Sequence, residues 1–416
     1  MSKRIAATLL LSALGLSACS QLAPSIPSGG PKPEAAGTTA PDVAGPSGGA
    51  TSSESSSPSA PPSSPASSPA SSQPSSPAGS TEPAPAAEPP TQISAAAKAA
   101  KAQLGVHVYW HDLDDAATAR ANADRLFDYV VGLGANSVAI SFPIYVDGVR
   151  PTKAYTIPGK TPSPATLGIV LAEASARGLR TTVRPLVDEA NILDSQGDWR
   201  GSIRPVDATT FFASYQAVLN PYLDQAQASK AATFVVGAEL DSLVHDTDLW
   251  KTLTTAAGQR FSGQLAYADN WTEWADGLAA IPNAVTGIDA YPELKVSNDA
   301  TVAQLTSAWT AWLKHRPAST LSKTVMQEVG IVATDGAYSQ PVKWEVAGQA
   351  VNPRIQIDWF TAACGAARSL NMDGLYFWNL DAYTDPSHAD PNGPGSFVQR
   401  GDEAIKSCFA SGWEGQ

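Results

Sequence analysis

From residue 104 onward, short apolar runs alternate with longer stretches in which apolar residues recur every three or four positions. The runs are LGVHVYW (104–110), NSVAISF (136–142), LRTTVRPLV (179–187), ATFVVGAEL (232–240), GQLAYAD (263–269), AVTGIDAY (284–291), KTVMQEVG (323–330) and DGLYFWNL (373–380). Such segments, rich in Val, Ile, Tyr and Phe, read as buried strands. The stretches between them, such as ATARANADRLFDYVVGLG and SPATLGIVLAEASARG, carry a helical period. Several end in Gly before the next strand, as a helix C-cap does. Near-continuously apolar strands alternating with helices predict a parallel sheet covered by helices. Eight such repeats predict a single (β/α)8 TIM barrel, an α/β fold whose working face lies at the C-terminal strand ends. The competing arrangement is a doubly wound open sheet, but no Gly-rich phosphate loop follows any strand.

The first part of the chain has no such pattern. Lys3 and Arg4 precede a short apolar core from Ile5 to Leu16, which reads as an export signal rather than a membrane span. It ends in Leu16-Ser17-Ala18-Cys19, which resembles the lipobox of bacterial lipoproteins. That resemblance implies cleavage before Cys19 and lipidation of its thiol; the alternative is an ordinary secretory signal. From Ser20 to about Thr91 the chain is Ser, Pro, Ala and Gly, with too little apolar surface to offset the entropy of ordering. The expected organisation is a signal peptide (1–18), a disordered, Pro-stiffened tether (19–94) and a catalytic domain (95–416). The expected location is the outer face of a bacterial cell membrane, held through Cys19, as a monomer. A net charge of −12 and a pI near 4.8 argue against nucleic acid as a partner.

Chemistry-bearing residues gather at the ends of the eight runs. They are His107, Tyr109, Trp110 and His111; Ser141, Phe142 and Tyr145; Arg184, Asp188 and Glu189; and Glu239 and Asp241. The later runs add Asp269, Asn270, Trp271 and Trp274; Asp289, Tyr291 and Glu293; Gln327 and Glu328; and Trp378, Asn379 and Asp381. Carboxylates within flat aromatic walls suit a carbohydrate, whose ring C–H faces stack on aromatics while its hydroxyls meet polar groups. The five His show neither HExxH nor the spacing of a zinc site, so no metal and no cofactor is expected. No GxSxG motif appears, and neither Cys of the expected mature barrel stands beside a His, which leaves acyl transfer unsupported. His107 and His111 read as hydrogen-bonded structural groups, and Asp241, Asp289 and Asp381 as helix caps or backbone partners.

Glu239 and Glu328 stand apart. Each ends a strand, the fourth and the seventh, beside small or apolar neighbours (Gly237, Ala238, Val329, Gly330) that leave room for a substrate. A barrel sets those two strands across its mouth. Glycoside hydrolysis needs such a pair, one carboxylic acid to protonate the leaving oxygen and one carboxylate to trap the oxocarbenium-like centre. The acid, Glu239, is expected to titrate high, helped by the charge of Glu328.

The stretches NSVAISFPIY, FVVGAELDSL, LAYADNWTEW, GIDAYPEL, VMQEVGI, TDGAYSQPVKW and GLYFWNLD resemble a clan A glycoside hydrolase, most like the mannanase-type family 113. The resemblance covers the whole barrel. It implies a retaining mechanism with Glu239 as acid/base and Glu328 as nucleophile. It also implies Tyr291 hydrogen-bonded to the nucleophile and Trp378 as the floor under the reacting sugar. Arg184 and Asn270 fall at polar positions near that sugar, and Trp110 and Trp271 are further candidates for substrate contact. Most of the clan has Asn directly before the acid/base; here it is Ala238, so the contact to the sugar 2-hydroxyl is unassigned. The alternatives are a sugar-binding lipoprotein on the same barrel with catalysis lost, or a clan A β-glycosidase or glucanase of another specificity.

Export would place Cys364 and Cys408, in the last two helices, in an oxidising compartment. Consecutive helices are neighbours on a barrel's outer ring, so the pair is expected to form a disulfide; two buried free thiols are the alternative.

Overall fold

The computed structural model describes residues 89–416, apart from 193–197, 278, 345, 347, 389, 391–392, 414 and 416. The signal peptide, Cys19 and nearly all of the tether lie outside the described residues.

Eight parallel strands close on themselves. They are β1 (Gln103–Tyr109), β2 (Ser137–Val146), β3 (Arg180–Val187), β4 (Thr233–Ala238), β5 (Gln264–Asn270), β6 (Val285–Asp289), β7 (Val325–Val329) and β8 (Gly374–Asp381). Each pairs with its sequence neighbour, and β8 returns to β1 to complete the ring. A two-residue strand, Ala154–Tyr155, folds back antiparallel on the extended end of β2. The crossover and closing helices are α1 (Ala116–Gly132), α2 (Pro164–Ala176), α3 (Ala208–Ala228), α4 (Thr247–Arg260), α5 (Val302–Leu313), α6 (Pro353–Ser369) and α7 (Asp402–Phe409), with short helical pieces at Ala95–Ala99 and Ala318–Leu321. Between β5 and β6 the crossover is a 3-10 turn, Trp271–Trp274, so one of the eight helical positions holds no α-helix among the described residues.

Local signals account for the helix limits. Asp115, Ser163 and Asp207 accept backbone N–H bonds at the starts of α1, α2 and α3, and Pro164 supplies the preset first turn of α2. Thr301 and Gln304 cap α5 reciprocally. Gly134 and Gly178 follow α1 and α2 with φ of 87° and 79°, a left-handed step that reverses the chain toward the next strand.

Strand residues divide by parity. Val106, Val108 and Trp110 point outward into the large core under the helices, while His107 and Tyr109 point into the barrel. The interior is packed in layers. Ala139, Val325 and Tyr376 form the lower one; Leu186, Val235, Ala238, Ala266 and Ala268 form an upper one, against Tyr109 and Trp378. Cys364 on α6 and Cys408 on α7 form a disulfide with Cα atoms 5.9 Å apart, as expected from neighbouring helices.

Candidate active site

Both strand-end glutamates follow breaks in the sheet ladder. The β4–β5 register shifts between Val235 and Gly237, and the β7–β8 register shifts between Met326 and Val329. Such irregularities re-aim a side chain that strict alternation would send elsewhere. Glu239 itself has φ of +53°, a sparsely populated conformation for a residue with a Cβ. Two bonds hold it there: its N–H donates to Ala268 O (2.8 Å), and the N–H of Leu240 donates to the Tyr267 hydroxyl (2.9 Å).

Arg184, projecting from β3 with no exposed surface, donates to Glu328 Oε1 and to Asp289 Oδ2 (2.6 Å). The Tyr291 hydroxyl donates to the other Glu328 oxygen at 2.6 Å. Across the site, Arg200 Nη1 donates to Glu239 Oε2 (2.8 Å). Arg200 is itself fixed by its backbone N–H to Glu189 Oε1 (3.1 Å) and its Nε to Val187 O (3.0 Å). Trp378 lies with its ring 5.7 Å from the Arg184 guanidinium and packs on His107 and Tyr109. Gly330 sits where a Cβ would come within 3.2–3.3 Å of Trp344, the Tyr291 hydroxyl and Trp378.

Each arginine thus serves two carboxyls, Arg184 for Asp289 and Glu328, and Arg200 for Glu189 and Glu239. One carboxyl of each pair titrates high. Burial pushes Glu239 up to about 8; Arg200 opposes this, and the charges of Glu328, Asp241 and Glu189 add to it. Burial likewise raises Asp289 well above the carboxylate range, against the pull of Arg184. Tyr291 is raised by burial and by Glu328, so it stays a donor. Burial and Arg184 push His107 well below its usual range, so its ring is neutral, bonded to the Ser141 hydroxyl (2.8 Å) and Gln327 O (2.5 Å). Among the described residues, no group of three or more His, Cys, Asp or Glu side chains is arranged to hold a metal ion.

A barrel with paired strand-end carboxyls suits several sugar-processing families. Residues 111–395 match the model of Glycoside Hydrolase Family 113. The chain belongs to that family. It is a glycoside hydrolase acting on carbohydrate. A solved family 113 β-1,4-mannanase complex superposes with a TM-score of 0.63 at 18% identity, covering 75% of this chain and 99% of that one. The family 113 β-mannanase from Alicyclobacillus acidocaldarius, solved with ManMIm, gives 0.60 at 18%, covering 76% and 99%. At such identity the likeness shows the fold. No curated protein matches the chain in sequence.

The structure brings Glu239, Glu328, Arg184, Tyr291 and Trp378 together at one end of the barrel. One sequence expectation fails. Trp110 is fully buried on the outward face of β1, so its ring meets the helices and not a substrate. The Asn270 amide is turned to Asp241 (3.1 Å) and to the turn at Thr272, and only 3% of the residue is exposed. Trp271, half-buried, opens the 3-10 turn after β5. Nor does Gly237 clear space for a sugar. A Cβ there would lie 2.8 Å from Trp250 of α4, so the glycine serves close packing behind the strand. Asp289, read as a cap, is an ion-pair partner. Glu239 titrates high as expected, but burial outweighs Glu328 as the cause. Arg200 was missed, since nothing in its loop sequence announces which strand end it reaches.

Proposed function

We propose that the protein is a retaining β-mannanase, with Glu239 as acid/base and Glu328 as nucleophile. One observation carries this reading: two carboxyls end β4 and β7 on the same face of the barrel, and their oxygens are engaged differently. Glu328 accepts from Arg184 on one oxygen and from Tyr291 on the other, a clamp that aims a nucleophile. Glu239 is held through one oxygen by Arg200; the other carries no hydrogen bond among the described residues and keeps a place for the glycosidic oxygen. In the first step a Glu328 oxygen bonds to the anomeric carbon while the C–O bond breaks, and Glu239 gives its proton to the departing oxygen. In the second, Glu239 takes a proton from water, the water oxygen bonds to the anomeric carbon, and Glu328 leaves. Trp378 supplies an apolar floor for the sugar ring. The β-mannan specificity rests on the mannanases that share the fold.

The lipobox-like LSAC and the Ser/Pro-rich stretch support export, lipidation of Cys19 and tethering of a domain spanning 95–416 at the outer membrane face.

The deciding experiment assays the full chain on β-mannan, β-glucan, xylan and aryl glycosides, beside Glu239→Gln and Glu328→Gln. Each variant is expected to lose at least about 10³-fold of turnover on the preferred substrate while staying folded. Full activity in either removes the assignment. Cys19→Ala is expected to move the protein from the membrane fraction to the soluble one.

A further inference from the structure

Four rings form a continuous row along the β8–β1 seam. Trp378 packs on Tyr109 (centroids 6.1 Å apart), Tyr109 on His111 (5.4 Å) and His111 on Tyr383 (5.7 Å). Exposure rises at the outer end: the His111 side chain is 16% exposed and Tyr383 is 48% exposed. Among the described residues Tyr383 is the one exposed Tyr, Trp or Phe.

An exposed tyrosine is ordinarily free to turn. This one is pinned. Its hydroxyl donates to Asp112 O (2.5 Å), and its N–H donates to Asp381 Oδ1 (2.8 Å). The His111 ring it meets edge-on is clamped by Asp112 Oδ2 (2.9 Å) and Asp381 Oδ2 (2.6 Å). A wet aromatic face held in one orientation has its ordering cost met before any ligand arrives.

The position says which part of a substrate it meets. Around the ring, β8 lies opposite β4, whose end carries Glu239, the proton donor to the leaving group. The row therefore runs away from the leaving side, beneath the part of the chain that stays with Glu328. We propose that Tyr383 is an outer saccharide subsite on that glycone side, stacking its exposed ring on the C–H face of a pyranose beyond the one that reacts. This rests on the glycosidase reading above and deepens it, since it makes the enzyme sense chain length.

The test compares wild type with Tyr383→Ala on β-1,4-mannooligosaccharides of two to six units. The gain in kcat/KM for each unit added on the non-reducing side is expected to shrink by roughly two- to tenfold at one step of the series, the size of one aromatic stacking contact. Tyr383→Trp, which keeps a ring, is expected to restore that step. An unchanged length dependence in Tyr383→Ala overturns the proposal. So does an equal loss at every length, which would mean that the ring acts only by supporting His111. A second arm reads binding without turnover: calorimetry of mannohexaose with Glu328→Gln and with Glu328→Gln/Tyr383→Ala. Weaker binding in the double variant supports the subsite even if the wild type cleaves none of these sugars, a result that would sink the mannanase reading alone. Equal affinity in the two, or none in either, overturns the subsite.

Discussion

The two ends of the barrel interior are chemically opposite. At the lower end Tyr376 is 1% exposed, shares a hydrogen bond with the Thr182 hydroxyl (3.2 Å) and donates to Gln103 Oε1 (3.0 Å). Gly105 lets β1 lie flush on that ring, where a Cβ would come within 2.5 Å of it. Tyr376, Thr182 and Gln103 are neutral and paired with one another. The upper end holds Arg184, Arg200, Glu189, Glu239, Asp289 and Glu328 in two shared ion pairs. There Arg184 Nε, Glu189 Oε2, Asp289 Oδ1 and Gln327 Oε1 are buried without a partner among the described residues. A buried polar group left without a partner costs free energy. The lower end closes the barrel; the upper end is kept costly for chemistry.

The largest expected break is Arg184→Met, which leaves Glu328 and Asp289 buried without their cation. Denaturant unfolding should show a loss of about 3–5 kcal/mol, together with loss of turnover. Unchanged stability would mean that the upper end is not held by its ion pairs. Cys364→Ser with Cys408→Ser is the control that touches neither end. Opening this 44-residue span is expected to cost about 2–4 kcal/mol while leaving the pH profile of turnover as it was. If that profile moves, the outer ring is coupled to the site.

The third prediction concerns pH. Unfolded, Glu239 ionises near 4.5; folded, near 8. The folded state holds that proton more tightly, so stability from this group is full below about pH 4.5 and declines as pH rises toward 8. Glu239→Gln is therefore expected to raise the thermal midpoint by about 2–4 °C at pH 8 and by nothing at pH 4. Wild-type kcat/KM should fall on a basic limb near pH 8, where the acid loses its proton. A profile flat to pH 10 would count against Glu239 as the donor. The smallest effect is at the lower end: Tyr376→Phe removes one neutral donor and should cost about 0.5–1.5 kcal/mol, with no change in the pH profile.

Both glutamates were legible as a pair, each ending an apolar run beside small neighbours on strands that a barrel sets across its mouth. Tyr291 and Trp378 were legible through resemblance to a family. Trp110 was misread although its parity was visible: counting in twos from Val106 puts it on the helix side, with Val108. Parity would not have found Glu239 or Glu328, since each follows a register shift that alternation does not foresee.

Hydrophobic period and strand-end chemistry, both local, were enough to determine a barrel, its working face and two candidate carboxyls. Local too were the caps at Asp115 and Ser163 and the glycine turns at 134 and 178, where neighbouring backbone groups settle the outcome. The tertiary structure alone decided which cation each carboxyl shares. Arg184 lies 144 residues from Glu328, and Arg200 39 from Glu239. An ion pair depends on distance and burial in space, and chain separation of that order carries no information about either.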